Sequence, residues 1–449
     1  MIRSLTFFTK PYVFIWLLLT ILVFTACSSP ALEPSVESST DSAIGDSQTQ
    51  QSYPAPEQQL VEERLQSGYP VPIPNGTPVR ITPFPTSVPP PICDIKPPVE
   101  VAMSYVEAKS DFPVFSEPRI IVTNDVGFSI AEWLPDNQRL LVSQGDGAFG
   151  TISTLDVTTG EMIEYAKRRD LSGSPLIWLD NAQGVMFVDA TTEGWELRFS
   201  DGKEPITVAN ELASTSLAKD PSSERVVTAF SLEPGALMTV DTIGRTDRVM
   251  STELNEETKR VPLSSGDGYH LTWSPNGNWL VQYLRDDLFL IDAQTQKICS
   301  VELGDYGEAG IGQVGYAKWS PNGQYLAMTY AGPTPASQLA ILDVSSGKIS
   351  TIQITPEENI WPPSSLNDFT WSPDGKFLIA KVNIGKQDGI SQFGLFLVDI
   401  HNNNSFRLFP NYAFLGVGQS LTWSPNGSRI AFRCPTIKEG NVCIIDVSQ

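Results

Sequence analysis

The sequence predicts an all-β protein: a seven-bladed β-propeller, closed by an N-terminal strand that completes the last blade and preceded by a disordered tether. Three observations predict it. A short segment centred on tryptophan recurs along the chain at the period of a four-stranded blade. An alternating apolar strand ending in Asp follows each copy. The two chain ends are complementary, since the last unit stops one strand short and an orphan strand stands near the start.

Four copies are close: LTWSPNGNWLVQ (271–282), AKWSPNGQYLAM (317–328), FTWSPDGKFLIA (369–380) and LTWSPNGSRIAF (421–432). AEWLPDNQRLLV (131–142) is looser. LIWLDNAQGVMFV (176–188) and LAKDPSSERVVTAF (217–230) are degenerate, with Lys219 where the others carry tryptophan. The anchors are therefore Trp133, Trp178, Lys219, Trp273, Trp319, Trp371 and Trp423. In each unit a strand runs into the tryptophan, and Ser-Pro-Asn-Gly or Ser-Pro-Asp-Gly turns the chain. Pro pre-sets φ, Asn or Asp tolerates the third position, and Gly accepts a positive φ at the fourth. The six tryptophans are expected to fill the space between neighbouring blades. The second landmark ends at Asp156, Asp201, Asp241, Asp292, Asp343, Asp399 and Asp446. Repetition in every unit gives these carboxylates a structural task, accepting backbone N–H bonds in the following turn.

The last unit ends at Val447-Ser448-Gln449, directly after its third strand. Glu117–Thr123 reads as a fourth strand without the preceding three, and pairing it with the last unit closes the ring and removes an exposed edge. The units resemble the WD40-like propeller repeats with a WSPDG signature found in TolB-type proteins. That resemblance covers roughly residues 117–449 and implies the fold. The TolB role does not carry over, because TolB is a six-bladed propeller with an extra domain.

The chain divides into 1–26, a signal peptide; 27–99, a Ser/Pro-rich linker; and 100–449, the propeller. The first segment runs MIRSLTFFTKPYVFIWLLLTILVFTAC, with Arg3 and Lys10 ahead of an apolar run from Pro11 to Ala26. That run is short for a bilayer span and suits a signal-peptide core. Ala26-Cys27-Ser28-Ser29 resembles the end of a bacterial lipoprotein signal, with Phe24 where Leu is commoner. The resemblance implies that Cys27 becomes an acylated mature N-terminus, each buried CH₂ contributing roughly 0.8 kcal/mol. The other reading is an uncleaved membrane helix, and both place the body on the extracytoplasmic side of the cell membrane. The linker has no apolar periodicity from which to build a core and should act as a tether.

With Cys27 lipidated, four cysteines remain and three pairings are open. Cys434 and Cys443 flank a short loop between two neighbouring strands and are the expected pair, which leaves Cys93 and Cys299 by elimination. A formal net charge of −21 argues against nucleic-acid binding, which needs cations to neutralise phosphates. His270 and His401 are the only histidines. With no C-x-x-C, no H-E-x-x-H, no P-loop and no G-x-S-x-G elbow, neither metal nor cofactor is expected.

The function class is therefore a non-catalytic, monomeric binding or scaffold module for an envelope protein or glycan, anchored to the membrane through lipid. The longer loops Tyr330–Gln338, Ile384–Phe393 and Gly304–Tyr316, and Trp361-Pro362-Pro363, are candidate contacts. The alternative is a propeller-type enzyme, a glycan lyase or hydrolase, with carboxylates converging on the central channel.

Overall fold

A computed structural model describes residues 94–448. It leaves out 102, 107–111, 125–126, 146–148, 170–173, 193, 213, 230–235, 252–269, 285–286, 296, 302–312, 332–336, 353, 355–364, 388–389, 411–412, 416–419 and 435–439. Its described elements are all strands, grouped in seven sheets. No described helix is long and apolar enough to cross a membrane. The signal segment, Cys27 and Cys93 lie outside the described residues.

Each sheet is an antiparallel meander in chain order. Blade 1 is Gly127–Trp133, Arg139–Gly145, Phe149–Asp156 and Met162–Arg169. Blade 2 is Leu176–Leu179, Gly184–Ala190, Trp195–Ser200 and Ile206–Ala209. Blade 3 is Ala218–Lys219, Val226–Ala229, Ala236–Val240 and Thr246–Ser251. Blade 4 is His270–Trp273, Trp279–Leu284, Asp287–Asp292 and Ile298–Ser300. Blade 5 is Gln313–Trp319, Tyr325–Ala331, Ser337–Asp343 and Lys348–Ile352. Blade 6 is Leu366–Trp371, Phe377–Gln387, Ile390–Asp399 and Asn404–Arg407. Blade 7 is Thr422–Trp423, Arg429–Arg433 and Gly440–Ser448, and its fourth strand is Arg119–Asn124, antiparallel to the third. Val114–Phe115 extends that fourth strand along the same edge. The ring therefore closes as the chain ends require.

Seven apolar clusters occupy the seven seams between blades. One blade face cannot bury itself, and each seam removes two faces from water at roughly 25 cal/mol per Å² of apolar surface. First strands line the inner ring, and from blade 3 round through blade 7 to blade 1 each contacts the next.

The turns repeat because their chemistry repeats. In blade 4 the Ser274 hydroxyl donates to Asn276 Oδ1 at 2.7 Å and accepts from Trp279 N–H at 2.9 Å. Ser320, Ser372 and Ser424 do the same with Asn322, Asp374 and Asn426. Gly277, Gly323, Gly375 and Gly427 have φ between 68° and 77°, and Asn137 takes that conformation in blade 1 with φ 58°. The strand-end carboxylates cap the next turn: Asp156 accepts from Thr158 and Thr159 N–H, Asp292 from Gln294 and Thr295, and Asp399 from His401 and Asn402. Asp201 and Asp446 differ: Asp201 pairs with Lys203 while the Ser200 hydroxyl accepts from Gly202 N–H, and Asp446 pairs with Arg119 and Arg429.

Cys434 and Cys443 form a disulfide with Cα atoms 5.8 Å apart. The bond is diagonal. Strand register sets Cys443 opposite Phe432, and Cys434 lies just beyond the end of the second strand. Cys299 is also disulfide-bonded.

The sequence predicts linker up to residue 99 in the segment before blade 1. From residue 94 onward it is instead a belt. Val99–Val101 pairs in parallel with the fourth strand of blade 5, and Ser104–Tyr105 with that of blade 6. Its apolar side chains cap successive seams: Ile95 at blades 4 and 5, Val101 and Met103 at 5 and 6, and Val106, Phe112 and Phe115 at 6 and 7.

Candidate functional site

The inner ring is where a propeller brings side chains from every blade together, and here it is stitched by polar bonds between neighbours. The Trp371 indole N–H donates to the Lys318 carbonyl of blade 5 at 3.0 Å, and that of Trp133 to the Thr422 carbonyl of blade 7 at 3.3 Å. In these two blades the tryptophan fills a seam and also carries a donor across it, whereas the Trp423 indole donates within its own turn to the Gly427 carbonyl at 3.0 Å. Lys219, at the tryptophan position of blade 3, performs the same task with its ammonium. Nζ reaches the Trp178 carbonyl at 2.9 Å and Asp180 Oδ2 at 3.2 Å. Trp133, Trp178, Trp319, Trp371 and Trp423 are buried, and Trp273 is half-buried. Between blades 4 and 5 the bond comes from elsewhere: the Tyr283 hydroxyl accepts from Ala317 N–H at 3.2 Å, and burial pushes that phenol up to about 12.

Two charged groups stand out on this ring. The first spans blades 5, 6 and 7. Lys318 Nζ donates to Asp368 Oδ1 at 3.0 Å and to the Phe369 carbonyl at 2.6 Å, with the Leu421 carbonyl at 3.4 Å. Asp368 is fully buried, and its Oδ2 accepts from Ser420 and Leu421 N–H at 2.9 and 2.8 Å. Its Oδ1 also accepts from its own neighbour Phe369 N–H at 2.7 Å. Four donors occupy one carboxylate, so it holds three blades together. Across the sheet from it lies Lys381, 4.9 Å above the Phe393 ring, held down to about 8 by burial and the nearby Arg433 charge against the pull of Asp368.

The second group spans blades 1, 2 and 3. Glu132 Oε1 accepts from Trp178 N–H at 2.8 Å. Its carboxyl is enclosed, and this loss of hydration raises it to about 7. The Trp178 bond and the Lys219 charge oppose that rise, and Asp180 adds to it. Among the described residues Glu132 is the one carboxyl raised to the neutral range.

No grouping of three His, Cys, Asp or Glu among the described residues could hold a metal. His270 stacks on Tyr283 at 5.1 Å and is held low by burial, and His401 sits in the turn after Asp399.

Of the candidate loops, Ile384–Phe393 is mostly strand, because the second and third strands of blade 6 continue into a long hairpin with a bulge at Asn383/Gly385. Tyr330 is a buried strand residue, while 332–336, 304–312 and Trp361-Pro362-Pro363 lie outside the described residues. Sequence reasoning passed over Glu132, Lys318, Asp368 and Lys381. One signal was available: the residue before the tryptophan is Thr in three units (Thr272, Thr370 and Thr422) but Glu132 and Lys318 in two others.

The two ends of the ring differ. Each blade's first and third connections emerge at one end. They are short, and they meet side by side: Gly277 approaches Pro221, Gly323 approaches Asn276, Gly375 approaches Pro321 and Gly427 approaches Pro373. The other end carries the second connections and the blade-to-blade crossings. These vary in length from 285–286 and 146–148 to 252–269.

No family model and no curated protein matches the sequence. Solved structures do match in shape. An oligogalacturonate lyase from Vibrio parahaemolyticus superposes with TM-score 0.51 at 10% identity, over 78% of this chain and 98% of that one. An oligogalacturonate lyase in complex with manganese gives 0.49 at 12%, covering 79% and 99%. The propeller domain of Cps50 (Swd1) from Myceliophteria thermophila gives 0.48 at 15%, covering 73% and 99%. At such identities likeness establishes fold alone. The seven sheets and the seven seams between them establish this chain as a seven-bladed β-propeller.

Proposed function

We propose that this propeller is a lipid-anchored, extracytoplasmic binding module without catalytic activity, which presents its variable end to an envelope protein or glycan. The observation that carries this reading is the contrast between the two ends. One end is closed by near-identical turns whose polar groups are bonded within the turn or to the next blade. The other bears the connections whose length varies most, and unequal loops on a rigid ring are where recognition is built. Anchoring rests on the signal resemblance ending at Cys27.

The test is to incubate the full chain, purified in detergent, with envelope polysaccharides and follow both retention and release of shortened product. Retention without product supports the reading, and sustained product formation overturns it. Anchoring is checked by fatty-acid labelling, which should be abolished by Cys27→Ser.

The second reading, a central-channel lyase or hydrolase, draws support from Glu132, a carboxyl near 7 beside Lys219. Such a group suits general acid–base work. If product does form, Glu132→Gln distinguishes this reading by lowering turnover at least a hundredfold.

A further inference from the structure

The belt advances around the rim with a fixed step. Lys96 N–H donates to the Gly347 carbonyl at 2.8 Å, and Ser104 N–H donates to the Asn403 carbonyl at 2.8 Å. Gly347 and Asn403 each stand immediately before the fourth strand of their blade, so going from 96 to 104, eight residues, moves the belt by one blade. One step back from Lys96 is Val88. The sequence repeats at that spacing: VPPPIC at 88–93 matches KPPVEV at 96–101, with two prolines in the same places and Cys93 where Val101 stands.

The blade one step back is blade 4, and its rim is suited to a further strand. Where the third and fourth strands pair, blades 1, 2 and 3 carry a register break, at Ile152/Ser153, Leu197/Arg198 and Leu237/Met238. Such breaks bend an edge and blunt it against strand addition. Blades 4, 5 and 6 have none. Blades 5 and 6 are the two that accept belt strands in parallel.

Blade 4 also carries a covalent mark. Cys299 lies on its fourth strand and is disulfide-bonded, while Cys434 and Cys443 bond each other. Of five cysteines, Cys27 and Cys93 remain as partners within the chain. Val101 pairs with Ile352, and the residue of blade 4 equivalent to Ile352 is Val301, since Asp292 meets Lys297 as Asp343 meets Lys348. The step therefore sets Cys93 beside Val301, one same-side position from Cys299. The prolines before it have no N–H to hold a strict register, which leaves the approach required of a disulfide open.

We propose that the fourth strand of blade 4 is a docking edge for residues 88–93 of the same chain, which add in parallel as a further strand and are locked there by a Cys93–Cys299 disulfide. The belt then caps the rim from blade 4 to blade 7, and the tether leaves the ring at blade 4, about half a turn from blade 1, where the propeller repeats begin. Reduction would release this last span of the belt while leaving the Val99–Val101 pairing in place.

The full chain, purified without reductant, is digested under non-reducing conditions for disulfide mapping by mass spectrometry. A Cys93–Cys299 peptide is expected. A Cys27–Cys299 peptide, or an intermolecular one, overturns the proposal. The strand itself is tested by amide exchange at Ser300. This amide faces outward, since the next one, Val301 N–H, donates inward to the Leu288 carbonyl. In a variant with 88–93 replaced by Gly-Ser repeats and Cys299→Ser, Ser300 should exchange at least tenfold faster, with exchange across 350–352 of blade 5 unchanged as proof of folding. Unchanged exchange at Ser300 overturns the proposal. If exchange rises across 350–352 as well, Cys93→Ser/Cys299→Ser takes the variant's place with the same two readings.

Discussion

Replacing Glu132 by glutamine isolates the cost of an ionisable group on the inner ring. The folded-state value is about 7 against 4.5 in the absence of burial, and each unit corresponds to about 1.4 kcal/mol. The sign follows from linkage. A carboxyl raised in the folded state stabilises the fold fully below its unfolded value, and that contribution is lost as pH climbs through 4.5 to 7. The loss totals about 3 kcal/mol and is complete above about pH 7. The glutamine side chain keeps an oxygen to accept the Trp178 N–H bond at 2.8 Å but has no proton to lose. The variant should exceed the wild type by only about 1 kcal/mol at about pH 5 and by about 3 kcal/mol at about pH 8.5. Urea unfolding followed by tryptophan fluorescence at about pH 5, 6, 7 and 8.5 reads this directly, from midpoints at constant slope. Lys219→Met, which removes a cation that lowers Glu132, should move the wild-type loss to higher pH. A difference between wild type and Glu132→Gln that stays flat within about 0.5 kcal/mol across the series would refute the reasoning, because burial would then not be holding the proton.

Other perturbations separate the remaining contributions. Asp368→Asn leaves Lys318 with a neutral partner and turns an amide toward N–H donors, so it should cost about 3 kcal/mol in urea unfolding. Gly375→Ala, at φ 71° with open surroundings, should cost about 1–2 kcal/mol from backbone strain alone. Gly347→Ala, at φ 67°, adds a Cβ that runs into the Asp94 carbonyl of the belt. It should therefore cost more than Gly375→Ala and speed amide exchange across 99–101. Cys434→Ser/Cys443→Ser opens a short loop and should lower stability by about 2–3 kcal/mol, read as a lower thermal midpoint.

By itself the sequence determined blade number, strand order and ring closure. These depend on local rules repeated along the chain: a Ser-Pro-Asn-Gly turn bonds within its own few residues, and Asp292 caps a turn two and three residues away. Periodicity then counts the blades, and the missing fourth strand at Ser448 names its substitute near Ile120. Only the tertiary structure decided what the charged residues do. Lys219 reads as a degenerate tryptophan until the Trp178 carbonyl of the neighbouring blade comes within 2.9 Å. Asp368 reads as an ordinary acid until donors from residues 318, 369, 420 and 421 converge on it. The belt was hidden for a related reason. Lys96 and Gly347 lie far apart along the chain, the bond between them is backbone to backbone, and parallel strand addition follows no side-chain rule that a single sequence displays. Local chemistry is written in neighbours along the chain, whereas seam chemistry is written in neighbours across it, and only closing the ring brings those together.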